Sequence, residues 1–321
     1  MKWAITTTLK CPAEQTIAFV NYYLNIGADH IFLFFDDPDD STAEIVGSHP
    51  RVTATRCTPE YFKEHIRGYF SQFDYSYVIY RQRLNATNAL KWAREMNIDW
   101  ISHVDVDELI HLRRGDLRKI LKKSPFGVIR MTIYEAIPEM LEFKNFFSEI
   151  RFFKAPAAFG RTGLRFPLNS LMLRLAIIAG VKSPFAIHDA YFRGHYKSKC
   201  FVRTDQDIVD MQIHAPKLSR RYAEIRSRRI ILLHFDSCGL ELWKKRWEFR
   251  LSNGDRPASK KKTHKVNRHM QGLIDGEAAD EQYIESYKKL HFIENKDRST
   301  LMRLGLIKGI QLPDSLFRGA I

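Results

Sequence analysis

Three carboxylates within four positions, Asp105, Asp107 and Glu108, are the side chains of this chain best suited to chemistry. They follow residues 100–104, an apolar run whose aromatic and β-branched side chains predict a buried strand of a parallel sheet. Open α/β sheets bind ligands at the carboxyl ends of their strands. If the strand ends at this point, the Asp-x-Asp turn offers hard oxygen ligands to Mg²⁺ or Mn²⁺, and such an ion would hold the diphosphate of a nucleotide-activated donor. An Asp-x-Asp that arose by chance is the alternative.

A second group of acids follows another candidate strand. Residues 31–35 are continuously apolar, and Asp36 and Asp37 come directly after them. Carboxylates at this position would lie at the same sheet edge and accept hydrogen bonds from a ribose hydroxyl or a base N–H. The alternative is a solvated turn, since the residue types of this segment are common in turns. Neither a Gly-x-Gly-x-x-Gly pattern nor a P-loop follows the first strand, so phosphate binding would depend on a metal ion.

Alternating strands and helices would position these acids. Apolar runs predict strands at residues 3–9, 31–35, 52–57 and 100–104. Helical spacing of apolar residues predicts helices at 13–24, from 43 onward and at 79–96, with Gly27 at the end of the first. This order predicts an α/β fold with a doubly wound, mostly parallel sheet flanked by helices.

The composition is that of an ordinary globular protein with an excess of positive charge. The chain has 321 residues, of which 45% are hydrophobic and 27% charged, and its formal net charge is +14. Its four cysteines, Cys11, Cys57, Cys200 and Cys238, have no regular spacing, which favours a reducing compartment over disulfides or structural zinc. Since we find neither a signal-peptide pattern nor an apolar run long enough to span a membrane, we expect a cytoplasmic protein.

Basic residues outnumber acids most strongly in residues 217–262. Such an excess predicts an anionic partner, which would be nucleic acid, an acidic membrane face or a phosphorylated substrate, and a solvated basic surface is the alternative. We expect peripheral contact with the inner, anionic face of a membrane. Residues 168–181 would add a shallow apolar contact if they do not form an ordinary core helix.

Several blocks of the sequence together resemble the nucleotide-sugar-binding region of GT-A glycosyltransferases, specifically the family 2-like group related to family 92. The resemblance covers about residues 3–135 and returns in two later blocks. The matching positions are residues 26–34, residues 36–42, Arg81, Gln82 and Asn85, residues 99–108, then Lys199, Arg203 and His214, and finally Leu233-His234-Phe235 ahead of Lys244 and Lys245.

This resemblance implies a metal-dependent transfer of a sugar from a nucleotide-diphosphate sugar to a glycan or glycolipid acceptor. It further implies inversion at the sugar and a place in cell-surface polysaccharide or lipopolysaccharide biosynthesis. The catalytic domain would cover residues 1–235, with an acceptor-side insertion at about 136–195 and a helical basic extension over 236–321. Two departures stand out, since the family's Lys-Asn-Glu is replaced by Lys10-Cys11-Pro12-Ala13-Glu14 and residues 136–190 match nothing in the family.

The expected site residues form three groups. Donor binding is expected of Lys10, Asp36, Asp37, Arg81, Gln82, Asn85, Asp105, Lys199 and Arg203. The metal ligands would be Asp105 and Asp107 with His234, for which His214 is a rival, because a neutral imidazole suits Mn²⁺ beside carboxylates. An inverting enzyme needs a carboxylate base, and the candidates, which no spacing separates, are Glu135, Asp189 and Asp236.

Two other classes of protein remain as alternatives. A metal-dependent nucleotidyltransferase would also place Asp-x-Asp at a strand end, but the phosphate loop that usually accompanies it is missing from the sequence. A basic nucleic-acid-binding protein without enzymatic activity would explain the charge but not an acid-rich sheet edge, which repels phosphate unless a metal is bound. We therefore expect a nucleotide sugar, a glycan or lipid-linked acceptor and no nucleic acid as partners.

Overall fold

Strands and helices alternate along the chain, which falls into two units. The first unit comprises residues 1–132, 197–232 and 313–321, and the second comprises residues 133–196 and 233–312. The computed structural model describes residues 1–155, 172, 174–182, 198–219, 223–252, 265–276 and 278–321. The sequence predicts a boundary between two domains at residue 235, and this boundary stays a prediction.

The described strands and helices follow one another along the chain from β1 to β12. They are β1 (Trp3–Leu9), α1 (Ala13–Asn25), β2 (His30–Phe35), α2 (Thr42–Gly47), β3 (Val52–Arg56), α3 (Pro59–His65), α4 (Val78–Glu95), β4 (Trp100–His103), β5 (Glu108–Leu112), α5 (Leu117–Lys122), β6 (Val128–Ile137), α6 (Phe146–Glu149), β7 (Phe152–Lys154), β8 (Cys200–Arg203), β9 (Ile208–Asp210), β10 (Lys217–Leu218), β11 (Glu224–His234), α7 (Leu240–Leu251), α8 (Lys265–Asp275), α9 (Asp280–His291), α10 (Asn295–Arg303) and β12 (Ile307–Gly309).

The first unit contains the mostly parallel sheet that the sequence predicts. β1 pairs in parallel with both β2 and β4, and β2 pairs in parallel with β3, which gives the order β4-β1-β2-β3. β8 then adds to β4 in antiparallel direction, and the start of β6 adds to β8. The helices pack against this sheet, so the predicted α/β fold class is confirmed.

The inner strands are buried along their whole length, which explains why they read as continuous apolar runs. All seven residues of β1 and all six of β2 are buried. One side of the sheet is covered by α4, whose small residues Ala86, Ala89 and Ala93 pack in the core. Trp92 of the same helix stacks on Phe34 with ring centroids 5.5 Å apart. The apolar stripe predicted for this helix therefore faces the sheet.

Two strands differ from the sequence prediction. β5 was not expected, because its sequence Glu-Leu-Ile-His-Leu lacks the strict alternation of apolar and polar residues that marks a half-buried strand. β11 extends from Glu224 to His234, and only its second half, from Ile230, has the apolar pattern of a core strand, because its first half is exposed and polar. These two strands pair with each other.

Tyrosines of α1 hold β5 in place. The Tyr22 hydroxyl donates to the Ile110 carbonyl at 2.8 Å. The Tyr23 hydroxyl donates to the Glu108 carbonyl at 2.9 Å and accepts from the Ile110 N–H at 3.1 Å. All of these groups are buried, so α1 supplies hydrogen bonds that the backbone of β5 requires there.

The second unit combines a short antiparallel sheet with helices. The end of β6 pairs with β7, and β7 pairs with β12. α7, α8 and α9 pack around a core that contains Trp243, Met270 and Tyr287. The region after residue 236 contains the helices α7 to α10 and also the short strand β12. None of the helices in the described ranges has the length and apolarity that crossing a bilayer requires.

Residues 174–178 are helical and expose more apolar surface than a core helix would. Ala176 and Val181 are buried, whereas Leu175 and Ile177 are half-exposed and Ile178 is 81% exposed. The remainder of the predicted segment 168–181 lies mostly outside the described residues.

Replacing Tyr23 by Phe tests the anchoring of β5. The change keeps the ring but removes the buried hydroxyl that bonds the Glu108 carbonyl and the Ile110 N–H. We expect the free energy of unfolding, measured by urea titration, to fall by about 1–3 kcal/mol. Tyr77→Phe, a half-buried tyrosine before α4, is the control and should change it by less than about 0.5 kcal/mol. Equal effects of the two variants would contradict the anchoring role.

Candidate active site

The three carboxylates of the Asp-x-Asp-Glu segment lie in a tight turn that follows β4. The strand ends at His103, and the Glu108 N–H donates to the Asp105 carbonyl at 2.9 Å. The Glu108 carboxylate in turn accepts from the Asp105 N–H at 2.8 Å. Asp107, between them, is almost fully buried. The side chain of Glu108 therefore closes the turn that presents the two aspartates.

This turn lies at the carboxyl edge of the parallel strands, where the strand order reverses. β2 and β3 extend from one side of β1, and β4 lies on the other. The chain leaves β4 with the Val104 N–H bound to the Thr6 carbonyl, and it leaves β2 with the Asp36 N–H bound to the Leu9 carbonyl. Such a reversal opens a crevice at the strand ends, which is where open α/β sheets bind ligands.

The buried ammonium of Lys199 balances the negative charge of the turn. Its side chain is fully buried, and its Nζ lies 2.9 Å from Asp105 Oδ2 and 3.6 Å from Glu108 Oε2. The antiparallel β8 places it there, because the residue before this strand falls at the carboxyl edge of β4. Burial by itself would lower the pKa of Lys199, but Asp105 and Glu108 outweigh burial and the pKa is raised. The ammonium therefore stays charged at neutral pH.

His103 lies beside Lys199 in the interior. Burial, and then the positive charge of Lys199, lower the pKa of His103 to about 3, so its imidazole is neutral at physiological pH. On the outer side of the turn, Gln82 Nε2 from α4 lies 3.5 Å from Asp105 Oδ1. One carboxylate oxygen of Asp105 thus contacts the buried ammonium of Lys199, and the other lies near the side-chain amide of Gln82.

The acids that follow β2 are paired with basic residues. Arg81 of α4 binds Asp36 through two hydrogen bonds of 2.6 and 2.7 Å, and it also donates to backbone carbonyls of the segment before α4. Asp37 lies 3.2 Å from Lys10, the residue after β1, and this contact lowers the pKa of Asp37. The side chains of Arg81 and Asp36 are mostly buried, whereas those of Lys10 and Asp37 are largely exposed.

Three of the predicted site residues in this unit have other environments. Asn85 is fully buried and its amide bonds Thr8 and Tyr61, so it joins α4 to the sheet interior. Arg203 lies opposite Trp100, at the start of β4 and hence at the other edge of the sheet, where it pairs with an aspartate of its own turn. The carbonyl of His214 accepts from Arg130 at 2.9 Å, whereas its imidazole acts on His103 and helps to lower the pKa of that histidine. Neither Asn85 nor Arg203 joins the group around Asp105.

The second unit has a charged cluster of its own around Glu135. This residue lies opposite Lys154 in the β6–β7 register, and the Lys154 Nζ is 3.2 Å from its Oε2. The Nδ1 of His234, at the end of β11, lies 4.0 Å from its Oε1. The ring of Phe235, packed against Phe147 and Phe153, fixes the chain just after this histidine.

Asp236 belongs to a neighbouring ion-pair group of the same unit. Its Oδ1 accepts from Arg246 at 2.5 Å and from Arg250 at 2.8 Å, both on α7. A ring nitrogen of His234 and a carboxylate oxygen of Asp236 lie within 4.8 Å of each other. Burial, followed by the charge of Lys154, lowers the pKa of His291 in the same group to about 3. Asp189, the third predicted base, lies outside the described residues.

Sequence reasoning missed Lys154 and the structural role of Glu108. Lys154 is the last residue of a short strand, where an exposed lysine is common. Only its burial opposite Glu135, which the structure shows, distinguishes it as a candidate site residue. Glu108 was recognised in the motif, but its capping of the turn requires the fold of residues 105–108. A signal existed for it, since a carboxylate three residues after a turn start is able to bond back to the backbone.

Comparison with known proteins supports a relationship to glycosyltransferases. No family model matches the chain. A protein of Arabidopsis thaliana named Glycosyltransferase-like At2g41451 is 30% identical over 167 residues, which covers 47% of this chain and 37% of that protein. A second one, Glycosyltransferase-like At3g57200, is 28% identical over 167 residues, covering 47% of this chain and 32% of that protein. The match thus spans about a third of the length of these curated relatives.

Replacing Lys199 by Met tests whether this ammonium holds the acid turn. Buried Glu108 and the partly exposed Asp105 would both lose their cation, so we expect the free energy of unfolding at pH 7 to fall by about 3–5 kcal/mol. Because the folded pKa is raised, the stabilisation is complete below the ordinary value of 10.5 and disappears as the pH rises through the folded value. The difference between wild type and variant should therefore be constant from neutral pH upward and shrink only in strong alkali.

Urea titrations followed by circular dichroism measure both effects. Lys91→Met, on the exposed face of α4, is the matched control and should stay within about 0.5 kcal/mol of the wild type. A Lys199→Met protein as stable as this control would show that the acid turn does not depend on the buried cation.

Proposed function

We propose that this protein is a glycosyltransferase that moves a sugar from a nucleotide-diphosphate sugar to a glycan or glycolipid acceptor. The observation that carries the proposal is the Asp105–Glu108 turn, held by buried Lys199 at the carboxyl edge where the strand order reverses. That place in an open α/β sheet suits a nucleotide. The similarity to two proteins named glycosyltransferase-like supports the same class of reaction.

Residues around the crevice have distinct roles in this proposal. The exposed Lys10 would leave Asp37 and contact phosphate oxygens of the donor, since a solvent-exposed ion pair is weak. Asp36, oriented by the two hydrogen bonds from Arg81, would accept from a ribose hydroxyl or a base N–H. Gln82 would orient Asp105. Lys199 is a positioning residue, because it is buried beneath the turn and acts through Asp105 and Glu108.

The donor set of the turn fits a divalent cation. Asp105 and Asp107 supply carboxylate oxygens, the ligands that Mg²⁺ and Mn²⁺ prefer, and Asp105 is about one-third exposed. Such an ion, when bound, would stabilise the negative charge that grows on the diphosphate leaving group. The assignments of His234 and His214 as further ligands rest on the sequence and stay proposals.

Glu135 is our candidate for the base that takes the proton of the acceptor hydroxyl. One of its oxygens lies 3.2 Å from the Lys154 ammonium, and the other faces His234 at 4.0 Å. Asp236 suits this role less, since two arginines bind one of its oxygens and would hold it in place. Transfer of the sugar in a single displacement that inverts its configuration requires a base of this kind.

A thermal-shift panel tests the proposed function directly. Nucleotide-diphosphate sugars that differ in base and sugar are added with and without Mn²⁺, and the melting temperature is recorded. A true donor stabilises the folded protein by mass action, and we expect this shift to require the metal. A panel in which no nucleotide sugar shifts the melting temperature, while nucleoside triphosphates do, would favour a nucleotidyltransferase instead.

The Asp107→Asn variant tests the metal assignment. Removing a metal ligand should lower kcat/KM for the identified donor by about 10²–10³-fold or more and weaken Mn²⁺ binding in a calorimetric titration. Asp39→Asn, in the exposed loop after β2, is the matched control and should change neither quantity. The same titration on His234→Ala and His214→Ala decides which histidine contributes. Near-normal turnover and Mn²⁺ affinity in Asp107→Asn would refute the assignment.

The Glu135→Gln variant tests the base. We expect kcat to fall by about 10²–10⁴-fold while the donor-induced thermal shift is kept, because the base acts on the acceptor and not on the donor. Glu142→Gln, an exposed glutamate of the same unit, should retain full activity. If Asp236→Asn or Asp189→Asn abolishes turnover while Glu135→Gln does not, the role belongs to that aspartate.

A further inference from the structure

A cavity of about 410 Å³ lies beside the later turns of α4 in the first unit. Its walls come from the end of α3, from the short 3-10 helix Gly68–Gln72, from one face of α4 and from β9. The residues of α4 that line it include Asn88, Lys91 and Arg94, which are three or four positions apart and so share one face of the helix. A cavity of this size is able to hold a small molecule.

This cavity is separate from the proposed donor site. Arg81 and Gln82, which contact Asp36 and Asp105, lie in the first turns of α4. Lys91 comes nine positions after Gln82, which places it about 14 Å further along the helix axis. The proposed transfer gives no part to any residue that lines the cavity. A molecule bound there would therefore be a second ligand of the protein.

The rim of the cavity carries an excess of positive charge. Arg67, Lys91 and Arg94 line it together with one acid, Glu64, and all four residues are exposed. With histidine counted as neutral, the formal net charge of the lining is thus three minus one, or +2. Neither Arg67 nor Lys91 forms an ion pair with a residue that the structure describes. Such a rim attracts an anion.

Arg94 is held in place by the backbone of a neighbouring turn. Its Nε donates to the Thr204 carbonyl at 2.8 Å, and its Nη2 donates to the Gln206 carbonyl at 2.7 Å. Its Nη1 makes no hydrogen bond to the part of the chain that the structure describes. A guanidinium fixed in this way loses little conformational freedom when it binds an anionic oxygen.

The interior of the cavity suits a ring. Leu84 and Phe70, which are buried, and Tyr69, which is half-buried, give it an apolar and aromatic lining. The Tyr69 hydroxyl accepts from Arg83 and from Lys217, each at 3.3 Å. These two contacts hold the aromatic wall in place before a ligand enters.

Asn88 adds a polar group to the lining of the interior. The residue is 3% exposed, and its Nδ2 donates to the Tyr61 hydroxyl at 3.0 Å. Its Oδ1 accepts no hydrogen bond from any residue within the described ranges. An amide oxygen with so little access to water gains free energy from a hydroxyl or N–H group of a ligand.

We propose that this cavity binds a small organic phosphate, with the phosphate at the cationic rim and a ring of the ligand against Tyr69 and Phe70. The charges match, because a phosphate monoester carries about −1.5 to −2 at neutral pH and the lining carries +2. The inference goes beyond the proposed function and does not depend on it, since this binding requires neither a metal nor a nucleotide sugar.

Titration of the full chain with phenyl phosphate, without metal or nucleotide, tests the proposal. Ligand-observed NMR gives the affinity, and we expect a Kd of about 1 mM or lower, as suits a ligand of this size. Inorganic phosphate and phenol each offer only one of the two groups, so they should bind at least about tenfold more weakly. Inorganic phosphate that binds as tightly as phenyl phosphate would overturn the proposal, because the cavity would then do no more than attract anions.

Charge variants show whether the ligand occupies this cavity. Arg67→Gln and Lys91→Gln should each weaken the binding of phenyl phosphate about two- to fivefold, whereas Glu64→Gln, which removes the acid of the rim, should strengthen it by a similar factor. Lys63→Gln, on α3 but outside the lining, is the matched control, and Lys10→Gln tests the proposed donor site. Both should leave the Kd unchanged. All five positions are exposed, so we expect every variant to fold.

Four outcomes would overturn the proposal. They are the absence of saturable binding of phenyl phosphate, a Kd that neither rim cation affects, an equal loss of affinity in Lys63→Gln, and a loss confined to Lys10→Gln. The last outcome would assign the phosphate to the proposed donor site. A failure of glycosyl transfer would leave all of these measurements valid, because none of them depends on turnover.

Discussion

A single buried ammonium, that of Lys199, is the constraint on which the candidate site depends. The turn after β4 brings Asp105, Asp107 and Glu108 close together, and carboxylates so close repel each other strongly in a poorly solvated place. Lys199 lies within 4 Å of two of them and is itself kept charged by them. Burying the ammonium without the carboxylates, or the carboxylates without the ammonium, would cost several kcal/mol. The acid turn and the lysine are therefore one structural element.

The topology of the first unit makes this pairing possible. The parallel strands deliver acids to one sheet edge, since Asp36 follows β2 and Asp105 follows β4. The antiparallel β8 enters at that same edge, and the residue before it is the lysine. A parallel strand at that position would place its first residues at the opposite edge. The reversal of strand direction at β8 thus supplies the cation that four parallel strands alone would lack.

In each of the two units, acidic side chains are paired with basic ones. Asp36 is held by Arg81, Asp105 by Lys199, Glu135 by Lys154 and Asp236 by two arginines. A basic side chain therefore holds each of these carboxylates in place before any ligand arrives, so that binding requires little reorganisation. Lys10 with Asp37 is the exposed pair, and it is the one able to exchange partners.

The sequence by itself determined the elements whose signal is local. β1, α1, β2, α4 and β4 were predicted within a few residues, because fully buried strands and a helix with an apolar stripe leave patterns in the neighbouring residues. The placement of two acid groups at one sheet edge followed from the strand order. Only the tertiary structure decided which side chains meet. Lys199 and Asp105 are 94 positions apart, and Glu135 meets Lys154 through an antiparallel register. Arg203, four residues after Lys199, is carried by β8 to the far edge of the sheet. Register between distant strands depends on the packing of the whole sheet, which no local pattern of residues specifies.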